Sequence, residues 1–520
     1  MGLRNSIIYL AKNIKLDKDY RSVLNYNESS LISLITNSSN LVYSSSDYSF
    51  LRDTGTIQVQ ASYSTVCQAN YMAFRNQDYS NKWFFAFIDE IVYKGDKCTE
   101  IKYTIDVWST WYSYWSPTAC FVVREHVVDD TLGANTVPEQ VETGEYVVNA
   151  HLYDSYNSVT TMVMGTNYHP NDPVKLYGGV YNGLPSGVDY CVVENMNDLS
   201  TIIQYYENQG VADTAISSLF IAPTWLTGAT TTGLITQTSA PAERTLGVSR
   251  ISSLNGYTPV NKKLLTYPYC YILQTNGAGA SAIYHQELWA VNSQTNDMEF
   301  KMEGVLCPGC SIRTYPLNYN GDDFGVDYGL TLGKFPQLNW STDQYINWLT
   351  QNGTNIFVSA LSSGVSIASG VVTGNPIAIG SGVISATSTI ASIEQHYKEP
   401  PQLRGNLNSG DVASALDLLC YKTYRMTIKA EFARIIDHYF TKVGYKVNAI
   451  KVPNMSRREN YNFVQIGAED NVAIPNNYNN ICPPAKDLDE INNLFRRGVT
   501  IWNNHTNLGN YSVTNGITSQ

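Results

Sequence analysis

The chain has 520 residues and a formal net charge of −11, and only 15% of its residues are charged. A protein this acidic is not expected to bind nucleic acid by neutralising phosphates with basic side chains. Its length predicts two to four domains with sizeable cores. With 38 tyrosines, the composition is more typical of a β-rich surface or virion protein than of a cytosolic enzyme.

The nine cysteines form no pattern that indicates a cofactor. One close pair, Cys307 and Cys310, encloses Pro and Gly. Such a pair can be a redox site, half of a zinc site, or a turn that contains two thiols. No second pair and no histidine cluster lies at metal-ligand spacing. We therefore predict no metal and no cofactor.

The first third of the chain is predicted to be rich in β-strands. Residues 56–61 alternate between apolar and polar, as a half-buried strand does. Residues 83–93 form a continuous apolar run that ends at the turn signal 94–97, and the alternating residues 101–107 follow. The sequence therefore predicts a β-hairpin, and residues 83–87 are expected to be buried strand.

A further predicted strand, residues 121–123, leads directly into Arg124, Glu125 and His126. Charged residues placed directly after a strand can be catalytic. A surface ion pair, or an ion pair at a contact between subunits, is the interpretation favoured for these three.

The middle of the chain, from about 150 to 340, is divided by Gly, Pro and Asn into short apolar runs such as 217–222 and 268–274. This pattern predicts one or two all-β domains with long loops. Residues 227–242 are small, polar and uncharged, which indicates a loop or β-arch. No fixed-period repeat is present, and this argues against a solenoid or propeller.

The fifty residues between Asp343 and Glu394 contain no charged side chain, and we call residues 344–393 the charge-free segment. The turn signal Gly374-Asn375-Pro376 divides it into two arms, 356–373 and 377–393. Each arm is about as long as a helix that crosses a bilayer, and small residues recur four apart. One interpretation is a buried helical hairpin or a Gly/Ser-rich loop in a soluble domain. The other is a conditional membrane segment, shielded in one state and inserted in another.

In the membrane interpretation the serines and threonines of the two arms face one another or a water-filled pore. The large apolar side chains then contact lipid. They are Ile356, Phe357, Val358, Leu361, Val365, Ile367, Val371, Val372, Ile377, Ile379, Val383, Ile384, Ile390 and Ile393.

The last 120 residues change character. Residues 429–443 carry apolar side chains at helical spacing and precede a glycine suited to a helix end. The apolar face comprises Phe432, Ile435, Ile436, Tyr439 and Phe440, and His438 is expected to be a partly buried helix residue. A strand is predicted at 445–452, a second helix at 487–497 and a short strand at 499–502.

Six segments near the two ends of the chain resemble, in order and spacing, the tail knob proteins of small short-tailed phages of the Salasmaviridae type. They are Asn70–Tyr93, Ile105–Trp111, Phe121–Val127, Lys451–Asn454, Tyr461–Gln465 and Phe495–Val513. The charge-free segment falls where that family carries a long hydrophobic loop. Residues from about 130 to 340 depart from the family in length.

The resemblance implies a structural protein and not an enzyme. In the family, six copies form the distal tail tube, and their hydrophobic loops plug the lumen until ejection opens a channel across the host membrane. The implied partners are five further copies of the chain, other tail proteins (the collar or proximal tube, and a tip protein) and the host membrane. Genomic DNA passes through the lumen without sequence-specific binding. Six copies carry −66, and a negative lumen lets DNA slide.

The fold class that follows is mainly β with an α+β C-terminal segment. The chain is expected to be a multi-domain, tube-forming subunit with β-rich distal domains and an inserted hydrophobic loop or helical hairpin. The expected domains are 1–128 and 399–520, which together build the tube wall, 129–343 as the distal part, and 344–398 as the loop. Within the wall, strands of 56–111 and elements of 421–513 are expected to meet.

Two alternatives belong to other classes of protein. A tail-associated cell-wall hydrolase would need two positioned carboxylates, a Cys-His pair or a metal. Acidic pairs occur at Asp129-Asp130, Asp322-Asp323 and Glu142 with Glu145, but solvated loops often contain such pairs. A receptor-binding tail protein is the other alternative, because the Tyr-rich middle could contact the host surface.

Overall fold

The computed structural model describes residues 6–338 and 420–518 apart from short interruptions. These are 52–53, 78–79, 156–159, 168–178, 195, 211, 229–230, 236–241, 277–279, 292–295, 310, 321–327, 333–336, 477 and 479.

The elements follow one another in chain order as here. The N-terminal part contains β1 (Ile7–Ala11), β2 (Ser22–Leu24), α1 (Glu28–Thr36), β3 (Leu41–Ser45), β4 (Tyr48–Leu51), β5 (Thr56–Val59), α2 (Tyr63–Val66), β6 (Tyr71–Arg75), β7 (Trp83–Gly95), β8 (Cys98–Ile105), α3 (Val107–Trp111), β9 (Trp115–Pro117) and β10 (Cys120–Glu125). The middle part contains β11 (Tyr146–Ser155), β12 (Thr160–Thr166), β13 (Gly179–Tyr181), β14 (Leu184–Ser186), β15 (Asp189–Val193), α4 (Met196–Asn208), α5 (Ala212–Ala215), β16 (Ile216–Pro223), α6 (Thr224–Thr227), β17 (Gly233–Leu234), β18 (Ala242–Ser249), β19 (Cys270–Thr275), β20 (Ser281–Tyr284), β21 (Asp297–Gly304), β22 (Ile312–Pro316), β23 (Leu330–Leu332), β24 (Gln337–Leu338) and β25 (Cys420–Ile428). The C-terminal part contains α7 (Ala430–Val443), β26 (Tyr445–Lys451), β27 (Tyr461–Ile466), β28 (Ala473–Pro475), α8 (Ala485–Arg497) and β29 (Val499–Trp502).

The chain divides into two compact units. The terminal unit comprises residues 1–142, 260–263 and 434–520, and the middle unit comprises 143–259 and 264–433. β25, at the start of the expected wall segment 421–513, belongs to the middle unit. The expected domain boundaries at 128, 343 and 398 stay predictions.

Two large sheets build the terminal unit. The seven-stranded sheet has the order β3-β1-β6-β7-β8-β5-β4, and the five-stranded sheet has the order β2-β29-β27-β10-β26. The second sheet mixes strands from both ends of the chain, with β2 and β29 parallel and its other pairs antiparallel. The main core also draws on both ends, since Trp108 and Trp115 pack against Phe495 with ring centroids 5.7 and 5.8 Å apart.

The predicted hairpin of β7 and β8 is confirmed, with Ile91 opposite Ile101. The continuous apolar run of β7 is explained by cores on both faces of its sheet. Phe85 and Phe87 lie in one cluster while Ala86 lies in the other, so strict alternation is not required.

Two details of this region differ from the sequence-based expectation. Trp83 is only half-buried and stacks on Tyr9 at 5.5 Å, whereas Phe85 is fully buried. The alternating pattern that predicted a strand through Val107 ends at Ile105. Asp106 instead caps α3, because its carboxylate accepts the Ser109 amide at 3.1 Å.

The two predicted C-terminal helices are present, but α7 buries a different face from its apolar stripe. Ile435 is 68% exposed and His438 is exposed, while Ile436 and Asp437 are buried. Asp437 accepts the backbone amides of Val260 and Asn261 at 2.8 and 3.0 Å. A carboxylate satisfied in this way can be buried, and this contact determines which side of the helix faces inward.

The middle unit is mostly β, as predicted, but it also contains α4, a thirteen-residue helix that the sequence analysis assigned to an all-β region. Its sheets have the orders β11-β25-β19-β20, β17-β15-β12-β16-β24, β18-β21-β22-β23 and β13-β14. The runs 217–222 and 268–274 correspond to β16 and to part of β19. The stretch 227–242 contains the two-residue β17 among its described residues.

Candidate functional site: the strand that follows the charge-free segment

The chain that contains the charge-free segment is attached at both ends to strands of the middle unit. Before it, β24 pairs with β16 in the five-stranded sheet. After it, β25 begins at Cys420 and lies between β11 and β19 in the four-stranded sheet. Residues 339–419 join these two strands.

Tyr421 fastens the beginning of β25 to a neighbouring sheet of the same unit. Its side chain is fully buried, and its hydroxyl donates to the carbonyls of Ile312 at 2.7 Å and Leu330 at 3.1 Å. Its ring lies in a core that also contains Phe220. A buried tyrosine whose hydroxyl is paired contributes both apolar packing and a fixed polar contact.

Backbone pairing holds the rest of β25 on both sides. β11 pairs with it from Tyr146 opposite Ile428 to Ser155 opposite Cys420, and β19 pairs with it on the other side. The Gln274 side-chain amide donates to the Thr423 hydroxyl at 3.2 Å. The charge-free segment therefore leads into a strand with neighbours along its length and not into a loop.

The predicted lipid-contacting residues from Ile356 to Ile393 and the turn Gly374-Asn375-Pro376 lie outside the described residues. Their role stays a prediction. Within the described parts of the chain, no helix combines the length and the apolar character needed to cross a bilayer.

In the terminal unit, β10 joins the two ends of the chain. It lies between β26 and β27. At its end the fully buried carboxylate of Glu125 accepts the Asn454 amide at 2.7 Å and pairs with Lys451. The Asn454 side chain donates in turn to the His126 carbonyl at 2.6 Å. Charged and polar groups thus link the N-terminal and C-terminal strands.

A second buried carboxylate, Glu139, holds two cations in the same unit. It pairs with Lys263 at 2.6 Å and with Arg124, whose side chains are 3% and 11% exposed. Burial alone would raise the pKa of Glu139, but the bonds from Lys263 and from the Lys446 amide outweigh burial and lower it. Glu139 therefore stays ionised and compensates both cations.

The expectation that Arg124, Glu125 and His126 lie at the surface or at a subunit contact is wrong, since all three are engaged inside the terminal unit. His126 Nδ1 accepts the Phe463 amide at 2.7 Å, and Nε2 bonds the Thr441 carbonyl at 3.0 Å. Burial lowers the pKa of His126 to about 4. A local pattern could not show this, because the partners lie hundreds of residues away.

The acidic pair Asp129-Asp130 makes structural bonds. Asp129 accepts the Thr131 amide at 2.9 Å. Asp130 accepts the Tyr445 hydroxyl at 2.6 Å, and burial raises the pKa of its carboxyl group. It lines a cavity of about 570 Å³ that Arg458 also lines.

The other acidic residues considered for hydrolysis are not brought together with this pair. Glu145 pairs with Lys429, Glu142 is exposed, and Asp322 and Asp323 lie outside the described residues.

Cys307 is a half-buried free thiol whose pKa is raised by burial, and Cys310 lies outside the described residues. No group of three or more His, Cys, Asp or Glu residues suited to a metal occurs among the residues that the structure describes.

Comparison with known proteins gives concordant results. Residues 236–516 match the family model "Bacillus phage phi29, Tail knob protein gp9, C-terminal domain", and residues 4–115 match "Caudoviral major tail protein N-terminus". The tail knob proteins gp9 of Bacillus phages PZA and phi29 are each 24% identical to this chain, over 99% of both chains. The bacteriophage C1 tail knob protein gp12 has a similar fold, with a TM-score of 0.66, 15% identity and coverage of 99% of this chain and 100% of that chain.

These matches confirm the resemblance and the mainly β fold class. The family model spans the charge-free segment as well as the C-terminal elements of the terminal unit.

Proposed function

Since this chain belongs to the phi29 gp9 family of phage tail knob proteins and is a structural component of the tail rather than an enzyme, we propose that six copies form the distal tail tube. The charge-free segments of the six copies plug its lumen before ejection. At ejection they leave the lumen and penetrate the host cell membrane, and the genome passes through the tube.

The observation that carries this proposal is the placement of the charge-free segment directly before β25. Fifty uncharged residues left in water would promote aggregation, so the resting particle shields them. In lipid, two helical arms satisfy their own backbone hydrogen bonds. Tyr421 and the paired edges of β25 keep the end of the segment attached to the tube while the arms move.

The separation of the two units supports a division of labour. The terminal unit is built from both chain ends and contains its own core. Removal of the segment from the middle of the chain leaves every residue of the terminal unit in place. A tube wall assembled from terminal units therefore forms without the loop.

The test is dye release from liposomes at neutral and acidic pH. It compares the full chain, a variant with residues 344–398 replaced by a Gly/Ser linker, and the substitutions Val371→Lys and Ile379→Lys. The matched control is Leu234→Lys, a 60% exposed apolar residue of the middle unit.

We expect release by the full chain and the control, and loss of release in the deletion and in both arm substitutions. Particles that carry the deletion should adsorb to cells without delivering DNA. Equal release by the full chain and the deletion would refute the membrane role.

A further inference from the structure

The two outermost strands of the sheet β11-β25-β19-β20 carry exposed apolar side chains on one face. Val148 on β11 is 49% exposed and Ile283 on β20 is 50% exposed. Between them lie Tyr271 and Leu273 of β19, which are half-buried. The ring of Tyr271 is 5.5 Å from that of Tyr146, which is itself 37% exposed.

This face differs from that of the other four-stranded sheet of the same unit. There, Lys301 bonds Glu243 at 2.5 Å and Glu303 at 3.2 Å, and Glu303 lies opposite Arg313. Ion pairs of this kind are typical of a sheet face in water, with one apolar and one polar side. The face with Val148 and Ile283 lacks that polar character among its described residues, which indicates that it is covered in the assembled protein.

The directions of the two edge strands indicate what covers it. All neighbouring strands in this sheet are antiparallel, and the sheet has four strands. β11 and β20 therefore run in opposite directions. When identical copies are arranged head to tail, β20 of one copy runs antiparallel to β11 of the next, as every other pair in the sheet does. Within the described residues, β11 and β20 each pair on one side only.

The size of the exposed surface also fits a second copy. Half-exposed Tyr146, Val148 and Ile283, with Tyr267 at 45% exposure, together offer roughly 300 Å² of apolar side-chain surface. A standard interface needs about 800 Å² per partner, and the paired backbones of the two strands add to the side-chain area. Long unprotected edges are otherwise a risk of uncontrolled association.

We propose that β11 of one copy pairs with β20 of the next copy, so that the sheet continues between subunits and Val148 contacts the neighbour's Ile283 region. This interface deepens the proposed function, because it rests on the assembly of identical copies into a tube. It also places a subunit contact in the sheet that holds the charge-free segment.

The first experiment is cross-linking of full-length chains during co-assembly. One chain carries Val148→Cys, the other carries Ile283→Cys and a mass tag, and both carry Cys67→Ser and Cys482→Ser to remove exposed native thiols. A short bismaleimide should give a mixed dimer. The matched control pairs Leu234→Cys with Ile283→Cys and should give none. Equal yields in the two mixtures would overturn the proposal.

The second experiment is light scattering of the full chain and of the variants Val148→Asp, Ile283→Asp and Leu234→Asp. Loss of the oligomer in the first two variants, with parental melting temperatures and with the Leu234 variant still oligomeric, supports the interface. An oligomer retained by all three variants overturns the interface but leaves the proposed tube intact. A parent that stays monomeric at every concentration overturns both.

Discussion

The backbone amide of Asn454 donates a 2.7 Å hydrogen bond to the carboxylate of Glu125, although 329 residues separate the two along the chain. Lys451 pairs with the same carboxylate, which is fully buried. The two ends of the chain therefore close on each other through a polar contact as well as through a shared core. Residues between them form a separate unit that can change without interrupting the contact.

Phe85→Asp should prevent the terminal unit from folding. Phe85 is fully buried between β6 and β8 in the seven-stranded sheet. An unpaired carboxylate there costs several kcal/mol, on the order of the whole stability of a domain. The measurements are soluble yield and thermal melting. Trp83→Asp is the comparison, and we expect a smaller loss because Trp83 is half-buried. If Phe85→Asp melts like the parent, the double-sided core of this sheet is wrong.

Gly444→Ala should be far more destabilising than Gly210→Ala. Both glycines have positive φ, +66° and +70°, so both substitutions introduce backbone strain of about 1–2 kcal/mol. At Gly444 the new methyl group would also collide with the Glu125 backbone, whereas no atom lies within 4 Å at Gly210. We expect an additional loss of about 2 kcal/mol or more at Gly444, measured by urea unfolding. Equal losses at the two positions would exclude a steric cause.

Glu139→Gln should destabilise the terminal unit by about 3–5 kcal/mol. The change leaves Lys263 and Arg124 nearly buried without their carboxylate partner. Addition of Lys263→Met to this variant should restore part of the loss, because it removes one of the uncompensated charges. A double variant less stable than Glu139→Gln alone would contradict the proposed charge balance. The measurement is chemical unfolding of the parent, both single variants and the double variant.

His126 should make the protein less stable as the solution becomes acidic. Its pKa is about 4 in the folded chain against about 6.5 in an unfolded chain. The stabilising neutral form is fully present above pH 6.5, and its contribution falls as pH decreases from 6.5 through 4, by roughly 3 kcal/mol in total.

The pH dependence is measured as thermal melting of the parent and of His126→Gln between pH 7.5 and 4. The difference between the two isolates the histidine, because the raised pKa values of Asp106 and Asp130 act in the opposite direction. The parent should lose more stability than the variant. Parallel curves would show that His126 does not control the acid response.

The sequence was sufficient to locate the elements whose signal is local. The hairpin of β7 and β8 and the helices α7 and α8 follow from the spacing of apolar residues and from turn and capping residues, all within a few positions of one another. Similar segments near both ends also identified the family, which the comparisons confirmed. The helix α4 was missed, because the surrounding Gly, Pro and Asn residues indicated loops between strands.

Only the tertiary structure decided which charged and apolar side chains are buried. Glu125 and Glu139 are inside because their cationic and amide partners arrive from elsewhere in the chain, and Ile435 is outside because Asp437 finds backbone donors at Val260 and Asn261. Burial of a polar group depends on whether its hydrogen bonds are satisfied, and those partners are fixed by the packing of distant segments. The sequence by itself therefore determined the local elements and the family, and the fold determined which of their faces meet.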